Sequence, residues 1–113
     1  MSILTALFGK KSTSNDAIIR LNAVEFKSKV EGRKVQLIDV RTPREFNSGH
    51  IKGAKNIDFF SGNFISAFNK LNKAKPVYIY CRSGGRSRQA SKRLVELGFS
   101  EIYDLKGGII NYR

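Results

Sequence analysis

Short apolar, β-branched runs alternate with helix-patterned segments along most of this chain, and that alternation admits few folds. The runs are "AIIRL", "VQLIDV", the end of "GHIKGAKNI", "PVYIYC" and "EIYDL". Between the first two, Asn22 is followed three residues later by Glu25 and opens "AVEFKSKV" in the manner of a capping box. "TPREF" starts a second helix: Thr42 caps, Pro43 suits the first helical position, and Glu45 stands three residues after the cap. In "NFISAFNKL", Phe64, Ile65, Phe68 and Leu71 are spaced to share one face. A final helix is expected from a cap at Ser87, with Ala90, Leu94 and Leu97 inward, Gly98 as its left-handed stop and Phe99 folding back on Leu94. Strand–helix units of this length predict an α/β fold, a mainly parallel sheet with helices on both faces. Ligands of such sheets collect at the carboxyl ends of the strands.

The chain has 113 residues, enough for one domain that buries about two thirds of the surface its unfolded form exposes. Residues 17–113 read as that domain, and residues 1–16 as a short apolar segment with a polar linker, "KKSTSND". Ile3, Leu4, Leu7 and Phe8 share a helical face, but the lysines follow that patch instead of preceding it, which argues against a secretory signal. No apolar run has the length of a transmembrane helix. A single cysteine excludes an internal disulfide, and a free thiol suits a reducing, cytoplasmic compartment. The net charge of +12 favours anionic partners.

That one cysteine, Cys81, ends a strand and is followed by "RSGGRS" before the last helix. Backbone N–H groups between a strand and a helix start lack helical partners and can converge on a common centre. Gly84 and Gly85 allow the positive φ angles a tight loop requires. The helix N-terminus, Arg82 and Arg86 add positive charge and favour a thiolate. The expected result is a nucleophile, open to solvent, inside a cradle for a small oxyanion. Buried cysteines and turn glycines are individually commonplace. A cysteine, two glycines, two arginines and a serine within seven residues are not explained by packing alone.

"LIDVRTPREFNSGHIKGAKNI", "IYCRSGGRS" and "YDLKGGIINY" together resemble, in order and spacing, a single-domain rhodanese over residues 17 to 112. The resemblance implies a three-layer α/β fold with a central, mainly parallel five-stranded sheet and helices on both faces, and a cysteine that takes up a sulfane sulfur as a persulfide. On this chain that cysteine is Cys81, and the residues around the substrate are Arg82, Ser83, Gly84, Gly85, Arg86 and Ser87. The implied activity moves sulfur from thiosulfate or a similar anionic donor to a thiol or cyanide. With one cysteine, no internal thiol can resolve the persulfide, so the acceptor is external, an acidic protein such as a thioredoxin being one candidate. Related phosphatases and arsenate reductases carry one more residue between cysteine and arginine. Here four residues separate Cys81 from Arg86, the shorter spacing. Noncatalytic members of the family usually lack the cysteine, which this chain retains.

Other polar residues receive structural readings. Asp39 and Arg41 in "DVR" resemble family positions near the active site and are expected to form an ion pair. The one histidine, His50, lacks the clustered partners of a metal site and is assigned to fixing a turn. Glu45 is assigned to capping. Tyr112 replaces a tryptophan common in the family after "GG". No cofactor or metal is expected. No nucleic-acid-binding signature is present, which leaves transfer RNA a minor candidate partner for the basic surface.

Overall fold

The computed structural model describes residues 15–112. After a 3-10 turn at Asn15–Ala17 come β1 (Ile18–Leu21), α1 (Ala23–Val30), β2 (Gln36–Asp39), α2 (Pro43–Asn47) and β3 (Lys55–Asn56). Then follow α3 (Phe64–Phe68), β4 (Val77–Tyr80), α4 (Gly85–Glu96), β5 (Ile102–Leu105) and a closing 3-10 turn, Ile109–Asn111. The strands form one sheet in the order β1-β5-β4-β2-β3, and every pairing is parallel. The apolar patch at Ile3 to Phe8 and most of the linker lie outside the described residues.

Local chemistry starts the first two helices. The side chains of Asn22 and Thr42 accept hydrogen bonds from the Glu25 and Glu45 backbone N–H groups, and each glutamate reaches back to the cap. At the far end of α4, Gly98 takes φ 101, and the Phe99 N–H donates to the Leu94 carbonyl at 3.0 Å, so the stop expected there forms.

Two cores sandwich the sheet. On one face Phe64 and Phe68 of α3, with Ala90 and Leu94 of α4, bury Ile38, Ile79 and Ile102. On the other, Phe26 and Val30 of α1 cover Leu37, Tyr78 and Leu105. The central strand β4 is buried along its whole length, which explains why "VYIY" lacks the alternation of a half-exposed strand.

Two expectations about helices fail. α3 has five residues, and Ile65, expected on its inner face, is 43% exposed. Phe64 and Phe68 already fill that face against Phe59 and Phe99, and so short a helix has room for one apolar stripe. In addition α4 is capped at Gly84, not at Ser87. Gly84, at φ 113, turns the chain into the helix three residues sooner, which carries Ser87 into the first turn with its side chain buried.

Leu94→Ala is expected to cost about 2–5 kcal/mol in urea unfolding, because Leu94 is fully buried beneath α4. Ile65→Ala should change stability by no more than about 0.5 kcal/mol, as for an ordinary surface site.

Candidate active site

Cys81 follows the last residue of β4, at the carboxyl edge of the sheet and under the start of α4. Its Sγ accepts hydrogen bonds from the Gly84 N–H at 3.0 Å and the Ser87 N–H at 3.4 Å. The Ser87 Oγ lies 3.5 Å from the same sulfur, within hydrogen-bond range for sulfur. The convergence of backbone donors read from the sequence is therefore present. Arg82, Ser83 and Gly85 form an exposed rim, while Gly84 and Arg86 are half-buried. The thiol itself departs from expectation: Cys81 is 1% exposed, not open. The short loop folds tightly over it, and Ser87, inside the helix instead of before it, closes one side.

The closing segment "KGGII" holds this loop in place, a task the sequence did not announce. The Ile109 N–H donates to the Cys81 carbonyl at 2.9 Å and the Ile110 N–H to the Arg82 carbonyl at 3.3 Å. Gly108, at φ +73, sits so close that a Cβ there would run into the Arg82 carbonyl and stand 2.6 Å from the Ser83 nitrogen. Only glycine allows this approach. The adjacent glycines were the available signal, since a pair after a strand marks a turn or a close backbone approach.

Charge is distributed differently from the expectation that Arg82 and Arg86 both face the anion. Arg86 forms a two-pronged ion pair with Glu45, Nη1 to Oε1 at 2.7 Å and Nη2 to Oε2 at 3.0 Å. Its guanidinium also stands 5.9 Å from the Phe60 ring. Glu45 thus does more than cap α2: it clamps the start of α4. Hydrogen bonds from Arg86 are the leading cause that holds the Glu45 carboxyl at about 2 instead of 4.5; burial opposes them, and Thr42 adds to them. Arg82 and Arg88 are exposed and form no ion pair among the described residues. They carry the free positive charge beside the loop.

Asp39 and Arg41 pair as expected and are buried. Arg41 Nη2 donates to Asp39 Oδ2 at 2.7 Å and to the Gly49 carbonyl at 2.6 Å, tying the end of β2 to the loop after α2. Asn56 braces the same turn, its Nδ2 donating to the Asp39 and Arg41 carbonyls. His50 stacks on Phe46 at 3.7 Å, with Nδ1 2.9 Å from the Phe46 carbonyl, and so fixes a turn. Neither Asp39, Arg41 nor His50 has a hydrogen bond to Cys81 or its loop. Tyr112 packs edge-on against Phe26 on the far side of the sheet.

A family model of the rhodanese-like domain matches residues 22–113. The chain belongs to that family. It is 49% identical over 76 residues to the uncharacterized protein YqhL of Bacillus subtilis, which covers 67% of this chain and 59% of YqhL. A tRNA uridine(34) hydroxylase of Pelagibacter ubique is 33% identical over 102 residues, 89% of this chain but 34% of that protein. The thiosulfate sulfurtransferase GlpE of Shewanella oneidensis is 35% identical over 78 residues, 69% of this chain and 75% of GlpE. Among solved structures, a rhodanese-like domain protein from Staphylococcus aureus superposes with a TM-score of 0.73 at 30% identity, covering 83% of this chain and 90% of that one. The chain thus spans less than two thirds of the length of the first two relatives. Among the described residues, no helix is long and apolar enough to cross a membrane.

Two experiments test the supports of the loop. Gly108→Ala should lower the melting temperature and slow reaction of Cys81 with a thiol reagent, because the added Cβ displaces the Arg82–Ser83 peptide; equal melting temperature and reactivity would refute the close approach. Glu45 has a depressed pKa, so its contribution to stability is complete above about pH 4.5 and is lost as pH falls toward 2. Glu45→Gln should therefore flatten this part of the stability–pH curve, measured by urea unfolding at a series of pH values.

Proposed function

We propose that this domain is a sulfurtransferase that carries a sulfane sulfur on Cys81. The carrying observation is the pair of backbone N–H groups, from Gly84 and Ser87, that meet at the Cys81 sulfur. Such donors stabilise negative charge on sulfur without any reorganisation during reaction. The spacing of four residues between Cys81 and Arg86 adds support, as does the likeness to GlpE, a thiosulfate sulfurtransferase.

In the first half-reaction the Cys81 thiolate attacks the outer sulfur of thiosulfate. The donor's S–S bond breaks, sulfite leaves with the electron pair, and Cys81 becomes a persulfide anion. In the second, an acceptor thiolate or cyanide attacks the outer sulfur, and the Cys81 thiolate leaves unchanged. The transferable atom then stands about 2 Å beyond Sγ, the length of an S–S bond. That extension matters for a thiol as deep as this one, since it brings the sulfur to be delivered nearer the loop's rim. Arg82 and Arg88 attract the anionic donor.

The acceptor comes from another molecule, because no second cysteine exists in the chain. Phe60, 68% exposed, flanks the loop beside Arg86, and Ile110, 52% exposed, flanks it beside Arg82. Apolar and basic groups around one mouth suit an acidic protein that presents a thiol, such as a thioredoxin. A thiol that must stay free to exchange sulfur with thiol partners suits a reducing compartment, which supports a cytoplasmic setting.

One observation favours a second reading. A cysteine 1% exposed is also what a packed structural thiol would be, so the alternative is a noncatalytic rhodanese-like binding module. Phosphatase or arsenate reductase chemistry ranks below both, because the loop is one residue shorter than those reactions use.

Intact-mass measurement after thiosulfate treatment should show protein heavier by one sulfur atom, reversed by cyanide with release of thiocyanate, and no adduct with Cys81→Ser. Persistence of the unmodified mass in the wild-type protein would favour the binding module. Turnover of p-nitrophenyl phosphate or arsenate without any sulfur adduct would favour the third reading.

A further inference from the structure

The Cys81 loop occupies the carboxyl edge of the sheet. At the opposite, amino edge a cavity of about 550 Å³ opens beside the starts of β2 and β4. Pro76 precedes β4 and lines this cavity, whereas Cys81 follows the same strand. Five residues at about 3.3 Å each separate the two places by roughly 16 Å. A ligand in the cavity therefore leaves the sulfur site open.

Charge in the cavity has one sign. Arg33 and Lys34, from the loop between α1 and β2, and Lys75, before β4, line it and are exposed. None of the three forms an ion pair among the described residues, and no described acidic residue lines the cavity. Glu101, just before β5, accepts a hydrogen bond from the Tyr103 hydroxyl instead.

The wall is apolar and already fixed. Val35, Pro76 and Tyr78 contribute to it. Gln36 braces it: Nε2 donates to the Asn72 and Pro76 carbonyls at 3.0 and 3.1 Å, and Oε1 accepts from the Asn72 N–H at 2.7 Å. These bonds tie the start of β2 to the chain entering β4, so a ligand meets a surface that needs little ordering. Gly53 lines the cavity without a side chain, and open space stands where a Cβ would project.

Tyr78 supplies an independent sign of a ligand. Its strand is paired with β2 on one side and β5 on the other, so what it presents to the cavity is its side chain. The residue is only 7% exposed, its ring stacked on Tyr103 and edge-on to Phe26. Buried tyrosines usually place the hydroxyl on a partner. This hydroxyl has no hydrogen-bond partner among the described residues, yet it is not sealed from solvent, a condition met there by Asp104 Oδ1 alone. A free donor thus stands at the cavity among three free cations.

We propose that this cavity is a second ligand site, for a small organic anion that carries two or three negative charges on an apolar or planar body. Arg33, Lys34 and Lys75 set the charge, and the Tyr78 hydroxyl gives one anionic oxygen a directed donor. Val35 and Pro76 receive the body. The volume falls in the range of small-molecule sites, larger than a bare inorganic anion fills. Phosphate and carboxylate groups both satisfy this chemistry. The proposal does not depend on sulfur transfer by Cys81, and its test uses no sulfur donor.

The test titrates four probes into the nitrogen-labelled full chain and follows the amide resonances. ADP carries phosphates on a planar body and benzenetricarboxylate carries carboxylates on one, while adenosine is a body without charge and pyrophosphate a charge without a body. ADP, benzenetricarboxylate or both should shift the amides of residues 33–36, Gly53 and Lys75 to saturation and leave those of Gly84 and Ser87 in place; the tighter of the two names the anionic group. Adenosine should shift nothing, and pyrophosphate should bind more weakly. Tyr78→Phe should weaken binding about tenfold at an unchanged melting temperature, because the hydroxyl it removes bonds to no part of the fold. Lys75→Ala should weaken binding as well, whereas Lys92→Ala, which removes the same charge from the exposed face of α4, should not. Three results overturn the proposal: neither anion shifts these amides, pyrophosphate binds as tightly as both, or Lys92→Ala costs as much affinity as Lys75→Ala.

Discussion

Two peptide N–H groups directed at one sulfur atom are the interaction that the rest of this structure arranges. A strand end alone would leave Cys81 as one more apolar side chain, and a helix start alone would spend its free donors on water. Joined by a loop as short as Arg82–Gly84, the two put the amide of the cap residue Gly84 at 3.0 Å, and that of Ser87 in the first turn of α4 at 3.4 Å, from the thiol sulfur. That geometry requires a left-handed residue at Gly84 and a backbone partner for the loop's outer side. The latter is provided by Gly108 to Ile110, which approach the loop more closely than any side chain would permit.

Charge around the sulfur is arranged with similar economy. Arg86, at the start of α4, is held by Glu45 from the start of α2, so one ion pair ties two helix N-termini together at the same edge of the sheet. The field available to an incoming anion then comes from oriented amides and from the unpaired Arg82 and Arg88. Oriented dipoles cost nothing further when charge develops, whereas flexible arginines on the rim act mainly on approach. The buried pair of Asp39 and Arg41 performs a separate task, fixing the turn after β2 so that α2 presents Glu45 in the right place.

How much of this could be read beforehand follows from the range of each interaction. Asn22 with Glu25 and Thr42 with Glu45 are three residues apart, so the helix starts they define were legible in the chain. The strand runs and their mainly parallel pairing followed from run length and spacing, whereas the order of the strands in the sheet did not. Cys81 and its loop were legible because cysteine, glycines and arginines are contiguous. Glu45 and Arg86 are 41 residues apart, and nothing in either local pattern says they meet. Ser87 misled for a related reason: serine before an apolar run reads as a cap, yet the glycine upstream started the helix first. The depth of Cys81 and the burial of Asp104 depend on how α4 lies on the sheet, which no window of sequence contains.

The central claim is that backbone donors hold the anionic sulfur, and proton–nitrogen correlation spectra of the uniformly labelled protein test it most directly. On loading with thiosulfate, the Gly84 and Ser87 amide resonances should move together, further than those of the exposed rim, and return when cyanide removes the sulfur. Loading, confirmed by mass, that leaves both amides in place while distant resonances shift would contradict the account.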